Sequence, residues 1–214
     1  MPMDKLRDIR SEYEEGSLEE DTVNKDPLLQ FERWFAQALL TNMKHPNAFV
    51  LSTCTKKGKP SARVVLLKGI DPEGFVFYTN YESRKANEIQ ENSFASMTFF
   101  WPKLERQIRV EGSVKKVSTV ESDEYFSSRP RGSQAGAWVS PQSKIIPGRD
   151  ALDVSHDWFL KENASKEITR PPFWGGYRIY PAVIEFWQGR TNRLHDRILY
   201  TFENEEWKIE RLAP

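Results

Sequence analysis

The sequence predicts a mainly β fold with peripheral helices. Three observations predict it. One helical repeat near the start gives way to short strand-like apolar runs. Tight turn signals, such as Lys56-Lys57-Gly58-Lys59-Pro60 and Asp71-Pro72-Glu73-Gly74, separate those runs. At 214 residues the chain suits one domain with appended elements. Short strands with tight turns are the mark of an antiparallel barrel.

The elements follow in order. Residues 1–25 are charged and nearly free of large apolar residues, so they read as a flexible N-terminal segment ahead of a domain spanning 26–214. Within that segment Leu6, Ile9 and Tyr13 are spaced for a short amphipathic helix, and residues 14–25 read as a linker. The alternative reading of the segment is a flap that orders over a ligand. Asp26-Pro27 is a helix start, an N-cap acid followed by proline at the first helical position. Leu28, Phe31, Trp34, Phe35, Ala38 and Leu39 continue it at helical spacing over about residues 27–43, with Phe31 and Trp34 as core.

Strands are expected over residues 48–55, 61–70 with the buried run Val64-Val65-Leu66-Leu67, 75–80, 95–101 and 107–116. A short helix is expected over 83–90 and another over 119–128, ended or kinked by Pro130. Further helices are expected over 133–139 and near 150–162. Strands return over 174–188, 194–202 and 207–212.

Composition excludes several function classes. Lys and Arg total 31 against 31 Asp and Glu, and a formal charge of zero argues against binding of nucleic acid or of a membrane through a polybasic surface. No run approaches the roughly 20 apolar residues that span a bilayer. Cys54 is the only cysteine, so no intrachain disulfide forms, and no apolar signal core follows Met1. Both features point to the cytoplasm. Asn163-Ala164-Ser165 matches a glycosylation acceptor but, without a secretion signal, reads as chance. His45, His156 and His195 lie far apart and in no metal motif, so no metal is expected. There is no G-x-G-x-x-G and no P-loop, and in Gly132-Ser133-Gln134-Ala135-Gly136 the serine is one position early for a nucleophile elbow.

Four clusters could carry chemistry. Arg63 and Lys68 flank the Val64–Leu67 run. Such cations also simply snorkel to water, and alternation puts these two on opposite faces unless a bulge intervenes. Ser83-Arg84-Lys85 sits at a helix start, where free N–H groups and the helix dipole favour an anion such as phosphate over a merely solvated turn. Arg193, His195 and Arg197 are spaced to share one strand face, which suggests either an anionic ligand opposite or an exposed, solvated face. Tyr125, Arg129 and Ser133 are spaced by four across Pro130 and could meet at the kink, offering a flat ring, a phosphate fork and a hydroxyl. Several anion sites among 13% aromatic residues suggest one or two flat, phosphorylated ligands.

Taken together, these stretches resemble the pyridoxine (pyridoxamine) 5'-phosphate oxidase family. The resemblance rests on Arg63-Val64-Val65-Leu66-Leu67-Lys68, Phe77-Tyr78-Thr79-Asn80, Ser83-Arg84-Lys85 and Glu105-Arg106-Gln107-Ile108-Arg109-Val110-Glu111-Gly112. It continues through Tyr125-Phe126-Ser127-Ser128-Arg129-Pro130-Arg131, Gln134-Ala135-Gly136-Ala137-Trp138, Phe173-Trp174-Gly175-Gly176 and Ile184-Glu185-Phe186-Trp187-Gln188-Gly189. It ends with Arg193-Leu194-His195-Asp196-Arg197 and Glu210-Arg211-Leu212-Ala213-Pro214. Each piece is weak alone, and the ordered set is specific. Pro141 before Gln142, and residues 144–170, carry little of the family pattern.

The resemblance implies an FMN-binding split β-barrel that works as a homodimer with FMN at the subunit interface. It implies FMN contacts from Arg63, Val64, Val65, Leu66, Leu67, Lys68, Tyr78, Thr79, Ser83, Arg84, Lys85, Gln107, Gln142, Ser143, Trp187 and Arg197. It implies substrate contacts from Lys68, Tyr125, Arg129, Ser133, Arg193 and His195, with Arg10 and Tyr13 in a covering flap and Arg193 and His195 as the catalytic pair. The implied reaction is oxidation of pyridoxine 5'-phosphate and pyridoxamine 5'-phosphate by oxygen to pyridoxal 5'-phosphate. Hydrogen peroxide is released, with ammonia from the amine. The competing readings are a split-barrel flavin reductase, disfavoured by the Tyr125–Arg129–Ser133 and Arg193–His195 clusters, and a non-catalytic carrier of pyridoxal phosphate.

Overall fold

The computed structural model describes residues 12–13 and 16–214. The expected helix at Leu6 and Ile9, and Arg10, lie outside the described residues. The element order is α1 (Pro27–Leu39), β1 (Ala48–Cys54), β2 (Pro60–Leu66), β3 (Gly69–Asp71), β4 (Gly74–Asn80), α2 (Arg84–Glu91), β5 (Phe94–Trp101) and β6 (Arg106–Lys116). Then come α3 (Thr119–Ser127), α4 (Arg131–Val139), α5 (Arg149–Glu162), β7 (Trp174–Gln188), β8 (Asp196–Glu203) and β9 (Glu206–Arg211). The chain divides into two compact units. One contains Met1–Phe49, Met97–Glu111 and Pro181–Pro214, and the other Val50–Ser96 and Gly112–Tyr180. Strands β1, β5, β6 and β7 each contribute residues to both.

In the first unit α1 starts as its sequence dictates. Asp26 caps it by accepting from the Leu28 N–H at 2.8 Å, and Pro27 fills the first helical position. It ends at Leu39, short of the expected 43, because Asn42 takes a left-handed φ of 56° and the Thr41 hydroxyl bonds the Ala38 carbonyl at 2.7 Å. Its buried stripe, Phe31, Trp34 and Ala38, meets an aromatic core. Phe31 lies edge-on to Phe99 (5.1 Å), and Trp34 edge-on to Phe186 (5.2 Å), which in turn meets Tyr200 (5.5 Å). Strand β7 pairs antiparallel with β8, from Val183 opposite Thr201 to Gln188 opposite Asp196, and β8 pairs with β9.

In the second unit the strand order is β2-β1-β5-β6-β7-β4-β3. β4 is buried almost throughout and pairs antiparallel with β7, from Phe75 opposite Ile179 to Asn80 opposite Trp174. Phe126, Ala137, Ile168 and Trp174 form a satellite core under α3, α4 and α5, with Tyr78 and Tyr125 packed against it. Among the described residues no helix is long and apolar enough to cross a membrane, and no cluster of metal-ligating side chains occurs.

Two further segments differ from expectation. The run Val64–Leu67 is not a buried strand core: Val64 is 68% exposed, Leu66 is exposed, and only Leu67 is buried. β2 ends the strand order, and periodicity cannot tell an apolar edge run from a core run. The expected strand 61–70 also breaks after Leu66, where the Lys68 N–H turns to the Val76 carbonyl (2.9 Å) and starts the β3–β4 hairpin. Likewise β8 begins at Asp196, not 194. Asn192 and Arg193 take left-handed φ of 55° and 61° in a short 3-10 turn, so Arg193 does not share a strand face with His195 and Arg197.

The aromatic core of the first unit makes a stability prediction. Phe31→Ala should cost about 3–5 kcal/mol, read as a lower urea midpoint with an unchanged slope. A cost under 1 kcal/mol would contradict the packing described.

Candidate active site

The second unit holds a polar cluster built around the start of α2. Ser83 is the N-cap, extended in backbone, and its hydroxyl oxygen accepts from the Ala86 N–H. This places Arg84 and Lys85 in the first turn, where cations oppose the helix dipole unless an anion is present. The Lys85 ammonium donates to Gln142 Oε1 (2.7 Å), Thr79 Oγ1 (3.0 Å) and Ser83 Oγ (3.4 Å). Four residues expected at the cofactor, Thr79, Ser83, Lys85 and Gln142, therefore meet. Among the described residues no carboxylate pairs with Lys85. Burial, then the charge of Arg63, pushes its pKa down to about 8.

Behind them lies Glu88, a residue the sequence reading did not single out. It is 4% exposed and accepts from the hydroxyls of Ser61 and Thr53, from Arg84 Nε (2.8 Å) and from Arg63 Nη2 (3.3 Å). Burial opposes its charge, but the hydrogen bonds from Ser61, Thr53 and Arg84 outweigh that and hold the carboxyl at about 2. Both terminal nitrogens of Arg63 are committed here, to Leu51 O (3.1 Å), Thr53 Oγ1 (2.6 Å), Ser61 and Glu88. Arg84 remains more than half exposed and, with Ser143, Lys144, Lys59 and Thr55, lines a cavity of about 430 Å³. The only sequence signal for Glu88 was its i, i+4 spacing from Arg84, a spacing shared by many exposed pairs.

A second grouping surrounds the junction of α3 and α4. Pro130 separates the helices as expected, and Tyr125 and Arg129 meet at an aromatic stack. Tyr78 lies on Tyr125 (3.9 Å between centroids, 18°) and on Trp174 (5.5 Å, 12°), and the Arg129 guanidinium lies 4.5 Å from the Trp174 ring centre. Among the described residues the buried Nη1 of Arg129 has no hydrogen-bond partner, and burial lowers the guanidinium pKa. Arg129, Ser133, Gln142, Asn80 and Trp174 line a cavity of about 260 Å³. Lys68 is exposed, its Nζ 6.0 Å from the Tyr125 ring. Burial, then the Glu121 carboxylate and Tyr125, pushes the Tyr78 phenol up to about 12. Of the β2 residues expected at the cofactor, Val64 and Leu66 are exposed and Val65 is half-buried; Leu67, just past the strand, is buried.

The first unit holds the remaining residues. Arg197 grips Glu185 with two bonds (2.8 and 3.0 Å) and donates to the Ala213 carbonyl (2.8 Å). Arg109 adds a third bond to Glu185 (3.2 Å). Trp187 faces Arg197 across the β7–β8 ladder. His195 lies 4.6 Å from Trp187, and Tyr13 stands edge-on to both, at 5.7 and 5.3 Å. Gly189 permits this, because a Cβ there would come within 2.6 Å of the Tyr13 ring. His195 Nδ1 accepts the Arg190 backbone N–H (3.1 Å), so the neutral ring carries its proton on Nε2. Burial, then the nearby Arg193 charge, lowers its pKa, with Asp196 opposing. Arg193 is exposed on its left-handed turn, and Gln107 is half-buried on β6.

Comparison with known proteins gives the family. Residues 35–161 match the family pattern described as pyridoxamine 5'-phosphate oxidase. Residues 174–214 match that of the pyridoxine 5'-phosphate oxidase C-terminal dimerisation region. A protein of Cyanothece sp. named pyridoxine/pyridoxamine 5'-phosphate oxidase is 50% identical over 209 residues, 98% of each chain. The chain belongs to this oxidoreductase family. PhzG of Burkholderia lata, solved with tetrahydrophenazine-1-carboxylic acid, is similar with a TM-score of 0.89 and 30% identity, covering 95% of this chain and all of PhzG. A pyridoxamine 5'-phosphate oxidase-related, FMN-binding protein of Nostoc punctiforme shares the fold at a TM-score of 0.70 and 20% identity, covering 86% of this chain and 97% of its own. The fold class is therefore the mainly β split barrel that the family resemblance implied.

The Lys85 cluster predicts a pH response. The folded value near 8 lies below the ordinary 10.5. Between these values the unfolded chain binds more protons, so the Lys85 contribution makes the ligand-free protein more stable as pH rises through that window. Nitrogen-detected NMR of Lys85 should give a midpoint near 8, moving upward when inorganic phosphate is added. A midpoint at 10.5, or one that phosphate does not move, would contradict an anion site here.

Proposed function

We propose that this enzyme oxidises pyridoxine 5'-phosphate and pyridoxamine 5'-phosphate to pyridoxal 5'-phosphate, using FMN and oxygen. The alcohol and oxygen give aldehyde and hydrogen peroxide; the amine, oxygen and water give aldehyde, hydrogen peroxide and ammonia. The observation that carries the reading is the unpartnered buried Nη1 of Arg129 beside the stacked rings of Tyr78, Tyr125 and Trp174. A buried guanidinium without an acceptor is costly, and an anion attached to a flat ring answers both features.

The donor set around Lys85 fits the FMN phosphate. Lys85, Arg84 and the Ser83 N-cap offer cations and free helix N–H groups, with Arg63 adding positive field from behind. Thr79, Gln142 and Ser143, with residues 64–68 and Tyr78, belong to the same reading; Gln107, Trp187 and Arg197 are assigned to FMN by the family resemblance alone. FMN, when bound, supplies the two-electron redox chemistry between substrate and oxygen.

The chain's own groups bind and orient. Arg129, Lys68, Tyr125 and Ser133 hold the vitamer phosphate. Arg193 and His195 hold the ring, and with its Nδ1 already accepting, neutral His195 has Nε2–H to donate. Tyr13, packed on Trp187 and His195, keeps water from that side; Arg10 is assigned to the same flap by the family resemblance alone.

The reading extends to a homodimer with FMN at the interface. The match to a dimerisation region supports it, as do the exposed apolar side chains Val50, Val64, Leu66 and Phe94 on β1, β2 and β5. A cytoplasmic location belongs to the same reading, in keeping with one unpaired cysteine.

Purified protein given pyridoxamine 5'-phosphate in air should yield the aldehyde and an equal amount of peroxide; absence of both overturns the oxidase reading. Arg129→Gln should lower kcat/KM roughly ten- to hundredfold, the worth of a charge-assisted bond of about 1.5–3 kcal/mol. FMN content should stay at the wild-type level. Arg193→Ala should also lose substrate use while the protein stays yellow. Loss of FMN first in the Arg129 variant would reverse the assignment of the two phosphates, and in the Arg193 variant would move Arg193 from the substrate to the cofactor.

A further inference from the structure

Glu88 is a buried carboxylate in a place where the proposed function needs positive charge. Its acceptors take two guanidinium N–H groups and two hydroxyls, a donor set of the kind that binds phosphate. Arg63 and Arg84 both reach it, and only Lys85 of the three cations has no carboxylate partner among the described residues. Arg63, Arg84 and Lys85 with Glu88 leave two positive charges, and the cavity beside Arg84 adds Lys59 and Lys144 against Glu82 and Glu91, so the balance still matches the −1.5 to −2 that a phosphate monoester carries at about pH 7.

We propose that Glu88 is the internal counter-ion of the FMN phosphate site, competing with the phosphate for Arg63 and Arg84 and thereby limiting the preference for FMN over unphosphorylated riboflavin. The inference rests on the reading that Arg84 and Lys85 hold that phosphate. In the ligand-free protein Glu88 keeps like charges together, because Arg63 would otherwise be a half-buried cation beside Lys85 with no acid to balance it. In the loaded protein the same carboxylate repels the dianion. Two roles that both use the Arg84–Glu88 bond predict opposite signs. If Glu88 merely orients Arg84, removing its charge loosens FMN; if it is a counter-ion, removing its charge tightens FMN.

The test is the pair of dissociation constants for FMN and riboflavin, measured by fluorescence quenching on the same apoprotein preparation, so that any inactive fraction cancels in their ratio. Glu88→Gln keeps the shape and an acceptor for Ser61 and Thr53. It should raise the preference for FMN over riboflavin at least tenfold, since one like charge within roughly 10 Å at an effective dielectric near 20 is worth that factor or more. Riboflavin binding should not change. Glu88→Ala should raise the ratio similarly even if its melting temperature falls. A ratio that stays level or drops in both variants overturns the proposal. Arg84→Ala separates the two levels of the argument. If it lowers the ratio while the Glu88 variants leave it level, only the counter-ion role fails. If it leaves the ratio untouched, the phosphate does not sit here and the underlying reading fails as well.

Discussion

Cations held in partly dry surroundings without a carboxylate are the constraint on which the account turns. Among the described residues Lys85 is bound by neutral oxygens alone, and Arg129 carries a buried terminal nitrogen with no acceptor. Folding normally avoids both arrangements, because a desolvated charge costs more than the neutral hydrogen bonds around it return. Their persistence makes sense when each has an anion to receive, and the elements around them serve that end. The Ser83 cap fixes where α2 begins, the break at Pro130 turns α3 into α4, and the Tyr78–Tyr125–Trp174 stack supplies a flat apolar wall.

The zero net charge of the chain takes on a different meaning in this light. The total of 31 cations and 31 acids first served to exclude polyanion binding. Locally the charges are sorted. Arg197 and Arg109 are answered by Glu185, Arg178 by Asp71, Glu73 and Glu121, and Arg211 by Glu19, Glu20 and Asp196, while among the described residues no carboxylate pairs with the partly buried Lys85 or Arg129. Arg211 also binds the Leu18 carbonyl (3.0 Å), and Leu18 is buried, so residues 16–20 are fastened to the β8–β9 hairpin near His195.

Much of this was legible in the sequence because it depends on local rules. Asp26-Pro27, Ser83 and Pro130 mark element boundaries by backbone chemistry that any window reveals, and the strand Trp174–Gln188 was read to the residue. What escaped depends on distant or unusual geometry. Gln142 reaches Lys85 across 57 residues, and Glu88 gathers donors from two other strands. Val64 and Leu66 looked like core because apolar character alone does not say which face is covered. Arg193 left the strand because Asn192 and Arg193 adopt positive φ, which non-glycine residues seldom announce in sequence.

The central claim is that the chain's residues hold FMN and a phosphorylated pyridine so that electrons pass from one to the other. The visible spectrum tests it most directly. The purified protein should show flavin bands that pyridoxamine 5'-phosphate bleaches in the absence of oxygen and that air restores. A flavin spectrum that the substrate leaves unbleached would contradict the claim.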